Sequence, residues 1–269
     1  MKQKKQLKKV KTTVFFKRQS SFNRFYRLGI LGIIWLLGGI SDRLWLNIDR
    51  SVPAWDQADY LNGVLNYWNA LQQPEWFNFD WWRSFWLLSN KIPPLHYIIT
   101  APFFNLFGTT ADAAMLVMIL YSAILLTSVY GLGVILFNPT IGLWAAGICQ
   151  LLPGLYYYRL EFLLDYPLTA MVTASFWLLT VWNVYRLISS NGCSRTALTG
   201  FNRYHFRGWI CSLLFGVSLG LALMLKQTAL FFLFLPILWV FGSCLKNRQW
   251  LCLMQLIGTS TIANLKSIP

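Results

Sequence analysis

Seven stretches of this chain are apolar all round, and nothing constrains its fold more. They run Leu28 to Leu46, Ala113 to Phe137, Thr140 to Tyr158, Leu168 to Leu187, Trp209 to Leu225, Thr228 to Leu245 and Trp250 to Ala263. Most approach the roughly 20 residues that a helix needs to cross a bilayer, and the last is short. Of the 269 residues, 56% are apolar and only 12% are charged. An ordinary soluble domain carries about 25% charged residues, so this chain has too few to solvate a globule of its size. Long runs rather than helical or alternating stripes exclude both a soluble enzyme and a disordered chain. The reading is an all-α, polytopic transmembrane bundle with about seven spans.

The net charge of +14 invites a nucleic-acid reading until it is located along the chain. Ten of the 23 Lys and Arg precede residue 28, in a segment without an acid. A basic segment directly before an apolar run marks the cytoplasmic side of a first span. The rival readings, a secretory signal peptide and a nucleic-acid arm, fit less well. The tail is long and no A-x-A-like site follows the apolar run, whereas a solvated tail facing anionic lipid suits the composition. Five of the nine acids, Asp49, Asp56, Asp59, Glu75 and Asp80, lie in one Trp- and Phe-rich loop over 48–92. With the tail inside, this loop is outside. The organisation expected is a cytoplasmic tail over 1–27, a first span over 28–47, an outer loop over 48–112, and the remaining bundle over 113–269. The cysteines Cys149, Cys193, Cys211, Cys244 and Cys252 lie in or beside apolar runs with no ligand spacing, so neither a disulfide framework nor a zinc site is indicated.

One segment, PPLHYIITAPFFNLFG over 93–108, is apolar but short and carries three prolines. The positive-inside rule decides its status. If it does not cross, the connection holding Arg186, Arg195, Arg203 and Arg207 is cytoplasmic, as are Lys246 and Arg248. If it crosses, all of these flip outward. The segment is therefore read as interfacial or re-entrant. The same parity puts Arg159, Glu161, Asp165 and Lys226 on the outer face with the acidic loop.

The outer face then holds the candidate chemistry. Asp56 and Asp59 are three apart and share a helical face, with Tyr60 beside them. A solvated loop helix is their bland explanation. Asp165, just before Tyr166-Pro167, suits a helix N-cap, and Glu161 lies one turn earlier. Arg159 and Lys226 could simply snorkel, yet ionisable groups at span ends in so uncharged a chain are functional candidates by default. His96 stands alone on that side and reads as a structural hydrogen-bonder.

These residues fall into a familiar order. WDQADY (Asp56, Tyr60) is similar to an acidic D-E-x-x-Y loop motif. KIPPLHYIITAPFFNLFG, with Lys91, is similar to a K-P-P-L-x-Y stretch leading to L-F-G. LLDYPL (Asp165) matches a D-x-P-L motif opening a span, and GLALMLKQTAL (Lys226) matches G-L-A-L-x-x-K-x-x-A-L. The sequence thus resembles the membrane glycosyltransferases of the dolichyl-phosphate-mannose–protein mannosyltransferase and aminoarabinose transferase family, with the GT-C fold, over roughly residues 28–245. Gln57 stands where the family usually has Glu, and Ile92 is inserted between Lys91 and Pro93. Family members generally continue with further spans, so the resemblance implies a C-terminally truncated member.

The resemblance implies transfer of a sugar from a polyprenyl-phosphate donor to a protein, lipid or glycan at the outer face. Asp56 would be the general base; Lys91, Arg159 and Lys226 would hold the donor phosphate; Tyr60, Glu161 and Asp165 would line or orient the site. No metal is required, though Asp56 and Asp165 are the carboxylates that would hold a divalent cation. The partners expected are the lipid-linked donor and membrane lipids, with no nucleic acid and an open oligomeric state. Two alternatives stand beside this: an inactive truncated homologue, and a transporter component. The transporter is disfavoured because no mirrored halves are visible.

Overall fold

A computed structural model describes residues 21–49, 51–89, 91–191, 198–247, 249–250, 254 and 258. The described residues form helices and connections, without strands. In chain order these are α1 (Ser21–Ile48), α2 (Asp56–Gln72), α3 (Phe79–Trp86), α4 (Leu95–Phe107), α5 (Ala111–Ala114), α6 (Leu116–Leu136), α7 (Pro139–Leu151), α8 (Pro153–Leu160), α9 (Asp165–Asn191), α10 (Leu198–Leu223) and α11 (Ala229–Lys246). Five segments are long and apolar enough to span: Arg24–Ile48, Ala111–Leu136, Asp165–Leu187, Phe206–Leu223 and Ala229–Lys246. This is an all-helical, GT-C-like membrane fold.

Among the described residues, five of the seven apolar runs form single helices long and apolar enough to span. The run Thr140 to Tyr158 is broken at Leu152–Pro153 into a 13-residue and an 8-residue helix. Pro153 has no N–H to give an intrahelical bond and its ring clashes with the preceding turn, so one helix ends and the next begins there. The run Trp250 to Ala263 lies almost wholly outside the described residues, as do most of the basic tail, Cys193 and Cys252. α4 is 13 residues long, about 20 Å at 1.5 Å per residue, too short for a hydrocarbon core of about 30 Å. Its end is set by Gly108, which takes φ 86° and donates its N–H to the Phe104 carbonyl. A positive φ of this kind is easy only for glycine.

Two long contacts fix the levels of the bundle. Trp35 Nε1 donates to the Ile119 carbonyl at 2.9 Å, and Arg43 Nη1 to the Asp112 carbonyl at 2.9 Å. α1 and α6 therefore run antiparallel. α7 returns along α6 and also packs on α1, while α9 packs against α6, α10 and α11. The α6–α7 crossing depends on Gly133 and Gly142, each facing the other helix's backbone. A Cβ on Gly142 would lie 2.7 Å from the Tyr130 carbonyl oxygen, which no side-chain rotation relieves. Small residues let membrane helices approach this closely. Gly142→Ala is expected to destabilise the protein by about 1–3 kcal/mol through overpacking, seen as a lower melting temperature in detergent. Gly154→Ala, with nothing within 4 Å of the new Cβ, should leave that temperature unchanged.

Candidate active site

The site is assembled where the loop over 48–112 meets the starts of α9 and α11. Asp56 and Asp59 lie in the first turn of α2, three residues apart, and face the loop before α4. Lys91 Nζ stands 2.7 Å from Asp56 Oδ1 and 3.1 Å from Asp59 Oδ2. The same ammonium lies 5.6 Å from the centre of the Tyr60 ring, a cation–π contact. Trp55, immediately before Asp56, is held at φ 52°. That is a strained conformation for a bulky residue, of a kind that clusters at functional sites.

The aromatic packing beneath explains why Lys91 meets the two aspartates. α2 and α4 are joined by Tyr67 stacked on Tyr97, 5.4 Å between ring centres, with Tyr60 tilted against Tyr97 at 6.5 Å. Gly63 leaves room for this, since a Cβ there would meet the Tyr97 ring at 2.6 Å. The Ser89 hydroxyl closes the connecting loop by donating to the Ile92 carbonyl at 2.8 Å. α4 is docked in turn on the loop after α10, where the Leu95 N–H donates to the Met224 carbonyl at 3.2 Å.

That loop carries Lys226, whose Nζ is 3.2 Å from Asp165 Oδ1 at the start of α9. The two ion pairs share one face. Burial raises the Tyr60 phenol pKa first, and the Asp56, Asp165 and Asp59 carboxylates raise it further, with Lys91 opposing. Lys91 itself is held well above the ordinary lysine range by its hydrogen bonds to Asp56 and then Asp59. It stays charged at any physiological pH. All five partners are open to solvent, the Lys91–Asp56 side chains being 55% and 58% exposed. Exposed pairs of this kind contribute little to stability.

Arg159 behaves differently from its expected role. The sequence places it among the phosphate-binding cations; the structure buries its guanidinium to 2% exposure against Asp42. Nε is 2.6 Å from Oδ2 and Nη2 is 2.8 Å from Oδ1, a forked pair, and Nη1 reaches the Gln150 carbonyl at 3.4 Å. The break at Pro153 starts a separate helix, α8, and Arg159 near its end meets Asp42 on α1. Asp42 was missed in the sequence, although an acid inside the first apolar run was the signal for it. Glu161 follows α8 as its C-cap and accepts a hydrogen bond from Tyr157, the main cause of that phenol's raised pKa.

His96 is fully buried in the first turn of α4, with its ring centre 4.5 Å from that of Phe162 and 5.9 Å from that of Tyr121. The sequence makes it a hydrogen-bonder; among the described residues neither ring nitrogen has a partner. Burial pushes its pKa down to about 3, so the ring is neutral in the fold while it would protonate near 6.5 in the unfolded chain. The unfolded state then binds more protons between these values, and stability falls as pH drops below about 6.5, by up to about 1.4 kcal/mol per unit. His96→Phe should flatten that slope in thermal melts between pH 4 and 7.

Among the described residues no three His, Cys, Asp or Glu side chains gather to hold a metal ion. Asp56 and Asp165 each already face a lysine.

A family model described as dolichyl-phosphate-mannose-protein mannosyltransferase matches residues 91–265. The chain belongs to this family. Membership makes it a membrane glycosyltransferase of the kind that draws on polyprenyl-phosphate-linked sugars. No curated protein and no solved structure matches the chain. The matched residues begin at Lys91 and include Asp165 and Lys226. Asp56 and Tyr60 precede them and are joined to them by the ion pair and ring contact just described.

Proposed function

We propose that this mannosyltransferase-family protein transfers a sugar from a polyprenyl-phosphate donor to an acceptor hydroxyl, with Asp56 as general base, at the extracytoplasmic face. The observation that carries the proposal is the pairing of every open cation of the site with a carboxylate: Lys91 with Asp56 and Asp59, Lys226 with Asp165. A donor phosphate is the natural competitor for both ammonium groups. When it draws Lys91 away, Asp56 is released with free lone pairs at the place where a hydroxyl proton must be removed. Binding the donor thereby readies the base.

The chemistry asks for nothing more elaborate. The leaving group is a phosphate, already a stable anion, so no general acid is needed. The acceptor oxygen forms the new bond to the sugar's anomeric carbon as the bond to the phosphate oxygen breaks, and Asp56 takes the acceptor proton. Lys91 and Lys226 meet the charge that grows on the departing phosphate. Tyr60, shielded under Lys91, lines the acceptor side, while Asp165 and Glu161 orient the lysine and the outer connection. Arg159 takes an architectural part, holding α8 to α1 through Asp42. Basic residues concentrated in the N-terminal tail and in the loops at the other ends of the spans support a cytoplasmic N-terminus.

Lys226→Gln tests the phosphate assignment away from the base. Losing one charge-assisted contact is expected to raise KM for the polyprenyl-phosphate sugar by roughly 10- to 100-fold, with a smaller change in kcat. Steady-state transfer of labelled sugar by the purified variant measures it. An unchanged KM would remove Lys226 from the donor site.

A further inference from the structure

At the end of α9 farthest from Asp165, a guanidinium is buried with no counter-ion among the described residues. Arg186 is 4% exposed, some 21 residues and therefore about 31 Å along the helix from Asp165. All five of its N–H groups are engaged, and every acceptor is neutral. Nε and Nη2 donate to Asn183 Oδ1 at 3.1 and 2.7 Å, Nη2 also to Ser243 Oγ at 3.0 Å, and Nη1 to Gln249 Oε1 at 2.7 Å and Cys244 Sγ at 3.2 Å. Hydrogen bonds to dipoles orient the charge but do not cancel it, and an uncompensated buried charge is costly.

The chain itself holds no side-chain carboxylate that could cancel it. Its nine acids are Asp42, Asp49, Asp56, Asp59, Glu75, Asp80, Asp112, Glu161 and Asp165. Each sits at the Asp165 end of the helices or in the loop beside it, and Asp42 and Asp165 are committed to Arg159 and Lys226. Among the described residues no carboxylate compensates Arg186, and an anion carried by another molecule would do so.

A groove beside Arg186 says what kind of molecule. About 570 Å³ in volume, it runs between the end of α6, the middle of α9 and α11, and is walled by Leu136, Phe176, Thr180, Asn183, Pro236 and Trp239 among others. Its lining is almost wholly apolar, and Asn183 both lines it and accepts from Arg186. A ligand suited to both parts has an apolar chain and an anionic head. We infer that this groove and Arg186 form a binding site for one anionic phospholipid, in the leaflet opposite the candidate active site. On the orientation proposed above this is the cytoplasmic leaflet, where anionic lipids concentrate. A phosphate oxygen that takes the place of the Gln249 amide on Nη1 keeps the number of hydrogen bonds and supplies the absent charge. The lipid would then tie α6, α9 and α11 together at the end of the bundle away from the chemistry.

The test is lipid competition on the full chain, read by native mass spectrometry from micelles holding equimolar phosphatidylglycerol and phosphatidylcholine. The wild type should retain one phosphatidylglycerol in preference by about tenfold. Arg186→Gln should bring the ratio close to one. Arg207→Gln removes an equal charge from an exposed site at the same end, where Gly208 lies beside Tyr185, and should keep the preference. Thr180→Trp fills the groove without touching Arg186 and should lower retention of the lipid, so the site remains testable if Arg186→Gln does not fold. Equal retention of the two lipids by the wild type would overturn the inference. So would an equal loss in Arg186→Gln and Arg207→Gln, which would mean a diffuse surface charge, or undiminished retention in Thr180→Trp.

Discussion

Asp56→Asn is expected to slow sugar transfer by about 10²- to 10⁴-fold, the range that a positioned general base contributes. The replacement keeps the size of the side chain and a carbonyl oxygen for Lys91, so the loop should hold its place. What it loses is the ability to accept the acceptor's proton. KM for the donor should not rise, because the phosphate then displaces a neutral amide rather than a carboxylate from Lys91. Asp59→Asn is the matched control. It removes an equal charge from the same ammonium, at 3.1 rather than 2.7 Å, and should cost far less in kcat. Single-turnover transfer from a labelled polyprenyl-phosphate sugar separates the two variants.

The second large effect belongs to Asp42 and Arg159. Both side chains are almost wholly buried, at 7% and 2% exposure. Asp42→Asn leaves a guanidinium in the bundle without its carboxylate, which costs about 3–5 kcal/mol. The variant should accumulate poorly and melt early in detergent. Replacing both partners by apolar residues of similar volume, Asp42→Leu with Arg159→Met, should recover most of the stability, since neither charge is then stranded. The double variant also reports on function. With Arg159 architectural, a recovered protein should transfer sugar at a near-normal rate. A stable but inactive double variant would return Arg159 to the donor phosphate.

These two cases show what a linear sequence carries. The apolar runs were legible because each is apolar around its whole circumference, and 93–108 stood apart because it is short and carries three prolines. Asp56, Lys91, Asp165 and Lys226 stood out as candidates because they are among the few charges beside the ends of apolar segments. Their pairing was not legible, since it depends on α4 docking at Met224 and on the Tyr67–Tyr97 stack. The segment 140–158 passed as one unbroken helix because hydropathy averages over Pro153, whose effect is geometric rather than apolar. Arg159 looked open for the same reason. Its burial follows from the pairing with Asp42, 117 residues earlier in the chain. Arg186 looked like one more cytoplasmic charge, and only its neutral surroundings set it apart.

The measurement that bears most directly on the central claim is release of label from the lipid donor. Purified protein is reconstituted in vesicles, supplied with a polyprenyl-phosphate-linked labelled sugar or with the corresponding nucleotide sugar, and given an extract of the source cell envelope as acceptor. The label should leave the polyprenyl phosphate for the extract in the wild type, stay on the lipid with Asp56→Asn, and remain on the nucleotide in both. Equal transfer by wild type and Asp56→Asn, or transfer only from the nucleotide sugar, would contradict the account.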